Sequence, residues 1–459
     1  MRDNCAMALL RLIAEGIGPF QRLDLDFSDG NGNPRLGPHI LAGVNGSGKS
    51  TVLRAIAWAL EREGSGFDDA AWKQLTLGQG GSRVLAIMRD QTESGARYAL
   101  GRSVYPGYLS PGALEDWAES QAQPLLLRRV PGSKPLSNSI RLEEAVLRPG
   151  REQSQYRVTF NVAAYAPSTQ LAWIDQPNLT ASIGNHVHQS LAFHATVQNA
   201  AIQAWLLSLY SKRAIAKERG VSTETYTRSL SRFEAALKLL YQEDIRFEVD
   251  IEPHFQPRLR MRNHDLNFSQ LPDGVRSTVG WVADFMMRQD AVAWAPELEE
   301  KRPGILLLDE VDAHLHPRWQ RLLLPAMREA LPNVQIIATS HSPFVISSCP
   351  DAVIHVLEVG SDGVATNRPP EPSPVGASIM TTLKDIFGVD SRFDVQTERE
   401  LNEWNELSRL VASGKISPDE RNRLSGLTAT LSDRSEELRS IVGSAVRSSN
   451  AMLDALLHR

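Results

Sequence analysis

A phosphate-binding loop pattern near the N-terminus constrains this chain more than any other feature. Residues 43–50 read Gly-Val-Asn-Gly-Ser-Gly-Lys-Ser and fit the pattern G-x-x-x-x-G-K-[ST] at every position. The apolar residues before the loop predict a short buried strand at 39–42, and the spacing after it predicts an amphipathic helix at 51–62. Backbone N–H groups and the helix N-terminus can then surround phosphate oxygens. The pattern therefore predicts an α/β nucleotide-binding fold.

The residues of this loop have separate expected roles. Lys49 can reach the β- and γ-phosphates of a nucleotide, and the Ser50 hydroxyl can ligate Mg²⁺, a cation that prefers oxygen ligands. ATP and Mg²⁺ are therefore the expected cofactors. The predicted nucleotide-binding residues of the loop are Asn45, Gly46, Ser47, Gly48, Lys49, Ser50 and Thr51.

An acidic pair follows a wholly apolar run later in the chain. Residues 304–308 read Gly-Ile-Leu-Leu-Leu and predict a buried parallel strand, and ligands bind at the carboxyl ends of such strands. Asp309 can hold Mg²⁺ through water, and Glu310 can orient and polarise the attacking water. Many strands end in acidic residues, so this pair is a weak signal alone. Together with the P-loop, it predicts a hydrolytic site.

Histidines occupy two segments near this acidic pair. His314 and His316 follow it directly, and His341 comes just after a second predicted buried strand at 334–339. A histidine at the carboxyl end of a strand can hydrogen-bond the γ-phosphate of ATP, which makes His341 a candidate catalytic residue with Lys49 and Glu310. The alternatives are a helix-capping turn for His314 and His316 and a structural role for His341. The order of the motifs along the chain favours the catalytic interpretation.

These motifs together resemble a known family. Asp309-Glu310, residues 314–317 and residues 339–343 resemble the ABC-type ATPases related to the OLD, RecF and structural-maintenance-of-chromosomes proteins. Within that group the chain is similar to the ATPase subunits of bacterial anti-phage systems of the Septu and retron-associated types. The likeness covers the N-terminal region to about residue 62 and then 266 to about 390. It implies ATP hydrolysis, a homodimer or higher homo-oligomer assembled through the ATP sites, and a separately encoded effector, expected to be a nuclease.

The resemblance also implies two further motifs. The first is a signature that contacts ATP on the opposite subunit, and residues 271–274 (Leu-Pro-Asp-Gly) stand where it is expected. Asp273 and Gly274 are its candidate ATP-binding residues, although Pro272 replaces the usual serine and a simple Pro-Asp-Gly turn is the alternative. The second motif is a glutamine that ligates Mg²⁺. Gln170, after a predicted strand, is the candidate.

The expected fold class is α/β, an ABC-type P-loop ATPase head with a mixed sheet. An antiparallel lobe, a helical insertion and a helical C-terminal extension complete it. The expected domains are 1–180 (N-terminal part of the head with the P-loop and the antiparallel lobe), 181–247 (helical insertion), 248–376 (C-terminal part of the head with the signature, the acidic pair and His341) and 377–459 (helical extension).

Composition narrows the cellular context. The 459 residues carry a formal net charge of -5 and include two cysteines, Cys5 and Cys349, which fits a reducing compartment rather than a disulfide framework. No apolar run has the length of a membrane span and no signal peptide is expected, so the predicted location is the cytoplasm. The basic stretch 211–219 leaves nucleic-acid binding open, with a solvated helix face as the alternative.

Three functions fit these features. The first is a regulatory or sensor ATPase subunit of an anti-phage complex. The second is a DNA-repair or chromosome-associated ATPase that acts on DNA directly, and the third is an ATP-binding scaffold with little hydrolysis. A transporter subunit fits worst, because of the histidine-rich segment after Glu310. The region after His341 shows no Toprim, HNH or protease pattern, so an effector is expected on another chain.

Overall fold

The structure is a computed structural model. It describes residues 7–60, 82–90, 97–104, 137–140, 147–149, 156–158, 161–167, 193, 199–250, 252, 256–261, 264–291, 294 and 298–444. The chain divides into two compact units, Met1–Thr382 and Leu383–Arg459.

The described strands are β1 (Met7–Ile17), β2 (Phe20–Asp26), β3 (His39–Gly43), β4 (Ser82–Asp90), β5 (Arg97–Val104), β6 (Ser137–Ile140), β7 (Leu147–Pro149), β8 (Tyr156–Val158), β9 (Asn161–Tyr165), β10 (Ile245–Asp250), β11 (Gln256–Met261), β12 (His264–Leu266), β13 (Gly304–Leu308), β14 (Val334–Thr339), β15 (Val353–Val359), β16 (Ala365–Asn367) and β17 (Glu371–Pro372). The α-helices are α1 (Lys49–Leu60), α2 (Asn199–Glu218), α3 (Glu224–Tyr241), α4 (Asp273–Ala291), α5 (Pro317–Ala330), α6 (Pro343–Ile346), α7 (Ile379–Phe387), α8 (Val395–Ala412) and α9 (Pro418–Arg434).

A mainly parallel sheet forms the centre of the first unit. Its strands lie in the order β16-β15-β3-β14-β13-β9, and β17 pairs with β15. The five strands from β15 to β9 are parallel, whereas β16 and β17 run antiparallel at the edge. Strands β3, β13 and β14 are buried at every position, in keeping with their mainly apolar sequences. The predicted α/β class with a mixed sheet is confirmed.

A second, antiparallel sheet covers one side of helix α1. Its order is β2-β1-β4-β5-β6. Its strands β1 and β2 form a hairpin, because Gly18 adopts a left-handed φ of 50° between them. On α1, Val52, Leu53 and Ile56 are buried in a core cluster that includes residues of both sheets. Each such side chain contributes roughly 1.5–3 kcal/mol through burial, which fixes the helix behind the P-loop.

Helices α2 and α3 form a helical hairpin in the region expected to be a helical insertion. The hairpin, the small sheet β10-β11-β12 and helix α4 all lie in the chain between β9 and β13, which are neighbours in the central sheet. Within the described residues, none of the helices combines the length and the apolar character needed to cross a bilayer.

The second unit has a small helical core of its own. Trp404 and Leu407 on α8 are buried together with Leu427 and Leu431 on α9. Helix α9 begins with a capping box, in which the side chains of Ser417 and Glu420 each accept a hydrogen bond from the other's backbone N–H. Leu410 on α8 packs against this core, since a step of three residues from Leu407 stays on the same face of the helix.

A pair of buried histidines joins the strand before the P-loop to its neighbour. His39 on β3 and His355 on β15 are both fully buried, with His39 Nδ1 3.1 Å from His355 Nε2. His39 Nε2 lies 3.0 Å from the Arg35 carbonyl oxygen, so neutral rings can share one proton between them and donate the other to that carbonyl. Burial lowers the pKa of His39 to about 4, and burial with the neighbouring His39 lowers the pKa of His355 well below its usual value.

This pair gives the first unit an acid sensitivity. The unfolded imidazoles take up protons below pH about 6.5 that the folded ones do not, so stability is full above that pH and falls as the pH drops towards 4. Between pH 7 and pH 5, His39 alone is expected to remove on the order of 2 kcal/mol. Thermal unfolding at the two pH values measures the effect. His355→Phe should reduce the pH dependence of Tm, and His264→Asn, at an exposed histidine, should leave it unchanged. If the Tm of His355→Phe depended on pH as strongly as that of the parent, the histidine pair would not be the source of the acid sensitivity.

Candidate nucleotide-hydrolysis site

Glycines shape the loop between β3 and α1. Gly43, Gly46 and Gly48 have φ values of 148°, 82° and 90°, in the region that side chains disfavour. A Cβ at Gly43 would lie 2.3 Å from the Leu357 carbonyl oxygen, and one at Gly48 would lie 2.4 Å from the Phe20 ring. The loop therefore winds tightly against β15 and β2 in a form that only glycine permits at these positions.

Polar groups of the loop are turned inward. Lys49 Nζ donates hydrogen bonds to the carbonyl oxygens of Gly43 (3.0 Å) and Val44 (2.9 Å), so the lysine side chain folds back over the loop. Ser47 Oγ is buried and has no hydrogen-bond partner among the described residues. Asn45 and Gly46 are exposed at the tip. A buried hydroxyl without a partner is costly in a folded protein, and a bound phosphate would supply one.

The loop and the acidic pair meet although 259 residues separate them. Ser50 Oγ donates to Asp309 Oδ1 at 2.9 Å, and the Asp309 N–H donates to the Tyr165 carbonyl oxygen at 2.9 Å. Strands β9, β13 and β14 are adjacent and parallel, so their carboxyl ends lie at one edge of the sheet. Burial lowers the pKa of Lys49, and the negative charges of Asp309 and Glu310 oppose that effect.

Glu310 leaves the strand in an unusual conformation. Its φ is 47°, a left-handed value that is uncommon for a residue with a side chain. Its N–H donates to Thr339 Oγ1 at 2.6 Å, and the next residue, Val311, donates its N–H to the Thr339 carbonyl oxygen at 3.0 Å. The side chain of Glu310 is exposed, whereas Asp309 is buried. The turn thus separates the two carboxylates into a buried and an accessible one.

His341 lies near the charges of Lys49, Glu310 and Asp312. Its N–H donates to Asp312 Oδ1 at 3.3 Å. Burial, followed by the positive charge of Lys49, lowers the pKa of the imidazole, and Asp312 and Glu310 oppose the shift. The ring is therefore neutral near pH 7 and can donate one N–H and accept at its other nitrogen.

The segment implied as a signature begins helix α4. Gly274 is buried, and a Cβ there would lie 2.2 Å from the His314 carbonyl oxygen, so the start of α4 packs tightly on the turn after Glu310. Asp273 is exposed and forms an ion pair with Arg276. Among the described residues, neither Asp273 nor Gly274 hydrogen-bonds the P-loop of the same chain. Their role as ATP-binding residues stays a prediction.

Gly274→Ala is expected to disturb this packing. The added methyl group would press against a backbone oxygen, which should cost about 1–3 kcal/mol of unfolding free energy. Thermal unfolding and an ATP turnover assay measure the result, and both the Tm and the turnover rate should decrease. Gly426→Ala is the matched control, because Gly426 also lies in a helix but has no atom within 4 Å of an added Cβ. If the Gly274→Ala variant had the same Tm as the parent, the tight contact would be disproved.

The remaining predicted residues differ in placement. Thr51 lies against Gly18, where an added Cβ would be 2.7 Å from Thr51 Cγ2, so this threonine supports the β1–β2 turn. Gln170 lies outside the described residues. Sequence reasoning assigned no role to Tyr165 or Thr339. Each of them is the last residue of a strand next to β13, and this position was the signal that could have identified them.

The site's residues fit Mg²⁺ and a nucleoside triphosphate. The Ser50 hydroxyl and the Asp309 carboxylate place two oxygens side by side, and Mg²⁺ is commonly held by one or two protein oxygens together with phosphate and water. In the part of the chain that the structure describes, no group of three or more histidine, cysteine, aspartate or glutamate side chains could hold a metal. Two neighbouring protein oxygens suit a metal ion whose remaining ligands are phosphate and water.

Known proteins match the segments that carry this site. A family model described as "AAA domain" matches residues 11–86, and one described as "AAA domain, putative AbiEii toxin, Type IV TA system" matches residues 204–347. The first segment contains the P-loop, and the second contains the acidic pair and His341. Two segments of this chain are thus similar to AAA-family ATPase domains, which confirms the resemblance inferred from the motifs.

Two relatives and one solved structure illustrate the likeness. "Septu protein PtuA" of Bacillus mycoides (strain KBAB4) is 25% identical over 407 residues, which cover 88% of this chain and 46% of that protein. "Retron Vc95 probable ATPase" of Vibrio cholerae serotype O1 biovar El Tor is 27% identical over 124 residues, 27% of this chain and 24% of that protein. This chain thus spans less than half the length of these curated relatives. The SmcHead bound to the C-winged helix domain of ScpA aligns with a TM-score of 0.46 at 13% identity and covers 79% of this chain and 98% of that one.

Proposed function

We propose that this chain binds Mg²⁺ and ATP on the loop from Gly43 to Ser50 and hydrolyses the ATP. The observation that carries the proposal is the contact between Ser50 Oγ and Asp309 Oδ1 at 2.9 Å, with the accessible carboxylate of Glu310 on the next residue. Isothermal titration of the purified chain with ATP, with and without Mg²⁺, tests the binding step. Saturable binding that strengthens with Mg²⁺ supports the proposal, and no binding in Mg²⁺ overturns it.

Each residue then has a defined task. Lys49 and the backbone N–H groups of the loop bind phosphate oxygens, while Ser50 and Asp309 hold the metal ion. Mg²⁺, when bound, supplies positive charge against the phosphate oxygens. Glu310 accepts a hydrogen bond from a water molecule and orients it for attack on the terminal phosphate. Neutral His341 can donate an N–H to a phosphate oxygen without adding a positive charge beside Lys49.

We further propose that two copies complete each site, with Asp273 and Gly274 of one copy facing the ATP of the other. ATP is then expected to convert the chain into a dimer when hydrolysis is blocked. Light scattering of Glu310→Gln with and without ATP measures this mass change, and Lys49→Ala is the control that should remain monomeric. A mass that ATP does not alter in Glu310→Gln would contradict the shared site.

In the cell, we propose that the chain is the regulatory ATPase of an anti-phage complex with a separately encoded effector, expected to be a nuclease. The similarity to the PtuA and retron ATPase proteins supports this role. The test is co-purification of the tagged chain with the products of its neighbouring genes, with ATP and without it. Recovery of a nuclease supports the proposal, and recovery of the chain alone in both conditions argues against it.

A second candidate is an ATPase that acts on DNA directly. It is favoured by four cations near the end of α2, Lys212, Arg213, Lys217 and Arg219, which form no ion pair among the described residues. Lys212, Lys217 and Arg219 are exposed. DNA binding by the purified chain that weakens steeply with salt would support this candidate, because phosphate contacts release counterions. A Lys212→Ala, Lys217→Ala double variant should then bind DNA less tightly and show a smaller salt slope.

A further inference from the structure

We infer that Thr339 is a positioning residue for ATP hydrolysis, because its one hydroxyl group sets the geometry of both carboxylates of the acidic pair. The inference rests on the proposed function and deepens it. Thr339 is the last residue of β14, the strand between the P-loop strand β3 and β13. Its effect on hydrolysis is exerted through Asp309 and Glu310 rather than by contact with the nucleotide.

The hydrogen bonds of this hydroxyl have a single consistent direction. Thr339 Oγ1 lies 2.7 Å from Asp309 Oδ1 and 2.6 Å from the backbone nitrogen of Glu310. The amide can only donate, and an ionised carboxylate can only accept. The hydroxyl proton therefore goes to Asp309, and a lone pair of the oxygen accepts the Glu310 N–H. One oxygen atom thus joins the side chain of one carboxylate to the backbone of the other.

The bond to the Glu310 amide holds a strained turn. A left-handed conformation such as the φ of 47° at Glu310 is unfavourable for a residue with a side chain. Thr339 binds the amide of Glu310 through its side chain and the amide of Val311 through its carbonyl oxygen, at 3.0 Å. These two contacts fix the peptide groups on both sides of Glu310. The direction in which the Glu310 side chain leaves the backbone follows from that.

The bond to Asp309 orients the buried carboxylate. Oδ1 of Asp309 accepts from both Ser50 Oγ and Thr339 Oγ1, and among the described residues no hydrogen bond reaches Oδ2. The two hydroxyls therefore hold Oδ1, and Oδ2 is the oxygen that would remain for holding the metal ion. Thr339 is fully buried, so solvent cannot replace its hydroxyl if it is removed. A hydrogen bond to a charged group at such a site is worth more than one at the surface.

Thr339→Val tests the inference, since valine keeps the branched shape and lacks the hydroxyl. The expected result is a decrease in kcat of about 10- to 100-fold, the equivalent of losing one hydrogen bond to a charged group. ATP affinity should stay close to that of the parent, because the P-loop is untouched. The Mg²⁺ concentration for half-maximal turnover should rise, because Asp309 is no longer held. Thr339→Ser keeps the hydroxyl and should restore both kcat and the Mg²⁺ dependence.

Thr382→Val is the matched control. Thr382 is also a buried threonine, and its hydroxyl donates a hydrogen bond to the Ser378 carbonyl oxygen at 3.3 Å rather than to a residue of the site. It should leave kcat and the Mg²⁺ dependence unchanged. If Thr339→Val fails to fold in a thermal unfolding assay, Thr339→Cys, which retains only a weak donor of similar size, serves for the same comparison with Thr339→Ser.

The outcomes separate this inference from the proposed function. A parent chain that hydrolyses no ATP refutes the proposed function, whatever the variants do. A parent that hydrolyses ATP, with Thr339→Val at the parent rate and the parent Mg²⁺ dependence, refutes the inference alone. A Thr339→Ser variant as slow as Thr339→Val would also refute it, since the hydroxyl would then not be the group that matters.

Discussion

Glu310→Gln is expected to lower the rate of ATP hydrolysis by roughly 10²–10⁴-fold while ATP binding persists. Glutamine has nearly the shape of glutamate, and the backbone bond from residue 310 to Thr339 does not involve the side chain. The amide, however, is a far weaker hydrogen-bond acceptor than a carboxylate and cannot polarise a water molecule to the same degree. Phosphate release at saturating ATP measures the rate, and a nucleotide titration measures the binding.

Glu329→Gln is the control for this change. Glu329 is an exposed carboxylate on α5 with no hydrogen bond or ion pair among the described residues, so its removal should not alter turnover. The assignment of Glu310 would be wrong if Glu310→Gln hydrolysed ATP as fast as the Glu329 variant. Another group would then have to orient the water.

Lys49→Ala is expected to weaken ATP binding by about 100-fold or more. The ammonium group would no longer bind the phosphates, and each hydrogen bond to a charged group contributes about 1.5–3 kcal/mol. A bound ligand stabilises the folded protein by about 2.7 kcal/mol at 100 times its Kd, so the parent should show a rise in Tm with ATP that this variant lacks. Hydrolysis should be lost with binding at ordinary ATP concentrations.

Lys212→Ala is the matched control, because Lys212 is exposed on the helical hairpin and has no ion pair among the described residues. Its Tm should rise with ATP as the parent's does. In the absence of ATP, Lys49→Ala also loses two bonds to the carbonyl oxygens of Gly43 and Val44, so Tm changes are compared within each variant, with and without ATP. If ATP raised the Tm of Lys49→Ala as much as that of the parent, the P-loop would not be the nucleotide site.

The parts of the fold that the sequence predicted best are those with one dominant signal. The bounds predicted for β13 and β14 are the observed ones, because both stretches are mainly apolar and suit a strand buried on both faces. The P-loop is equally clear, since its glycines are required at specific positions by the backbone itself. The hairpin of β1 and β2 has a weaker signal, because Gly16 and Gly18 interrupt the alternation of residues without showing that the chain reverses there.

Contacts between distant residues account for what was not predicted within the site. Whether Thr339 would reach the Glu310 amide depends on the register between β13 and β14, which pairs Leu308 with Ala338 and is invisible in either strand alone. The burial of Gly274 against the His314 carbonyl depends on where α4 docks. The roles of Asp273, Gly274 and Gln170 stay predictions that need a second subunit or a bound nucleotide to test.

Phosphate release by the purified parent chain, measured beside Glu310→Gln with Mg²⁺ present and absent, tests most directly whether the Gly43 loop and the Asp309–Glu310 pair form one hydrolytic site. The expected result is ATP turnover that requires Mg²⁺ and that falls at least 100-fold in Glu310→Gln, with ATP still bound. The contradicting result is a parent chain that binds Mg²⁺ and ATP yet releases phosphate no faster than Glu310→Gln, which would make it an ATP-binding scaffold.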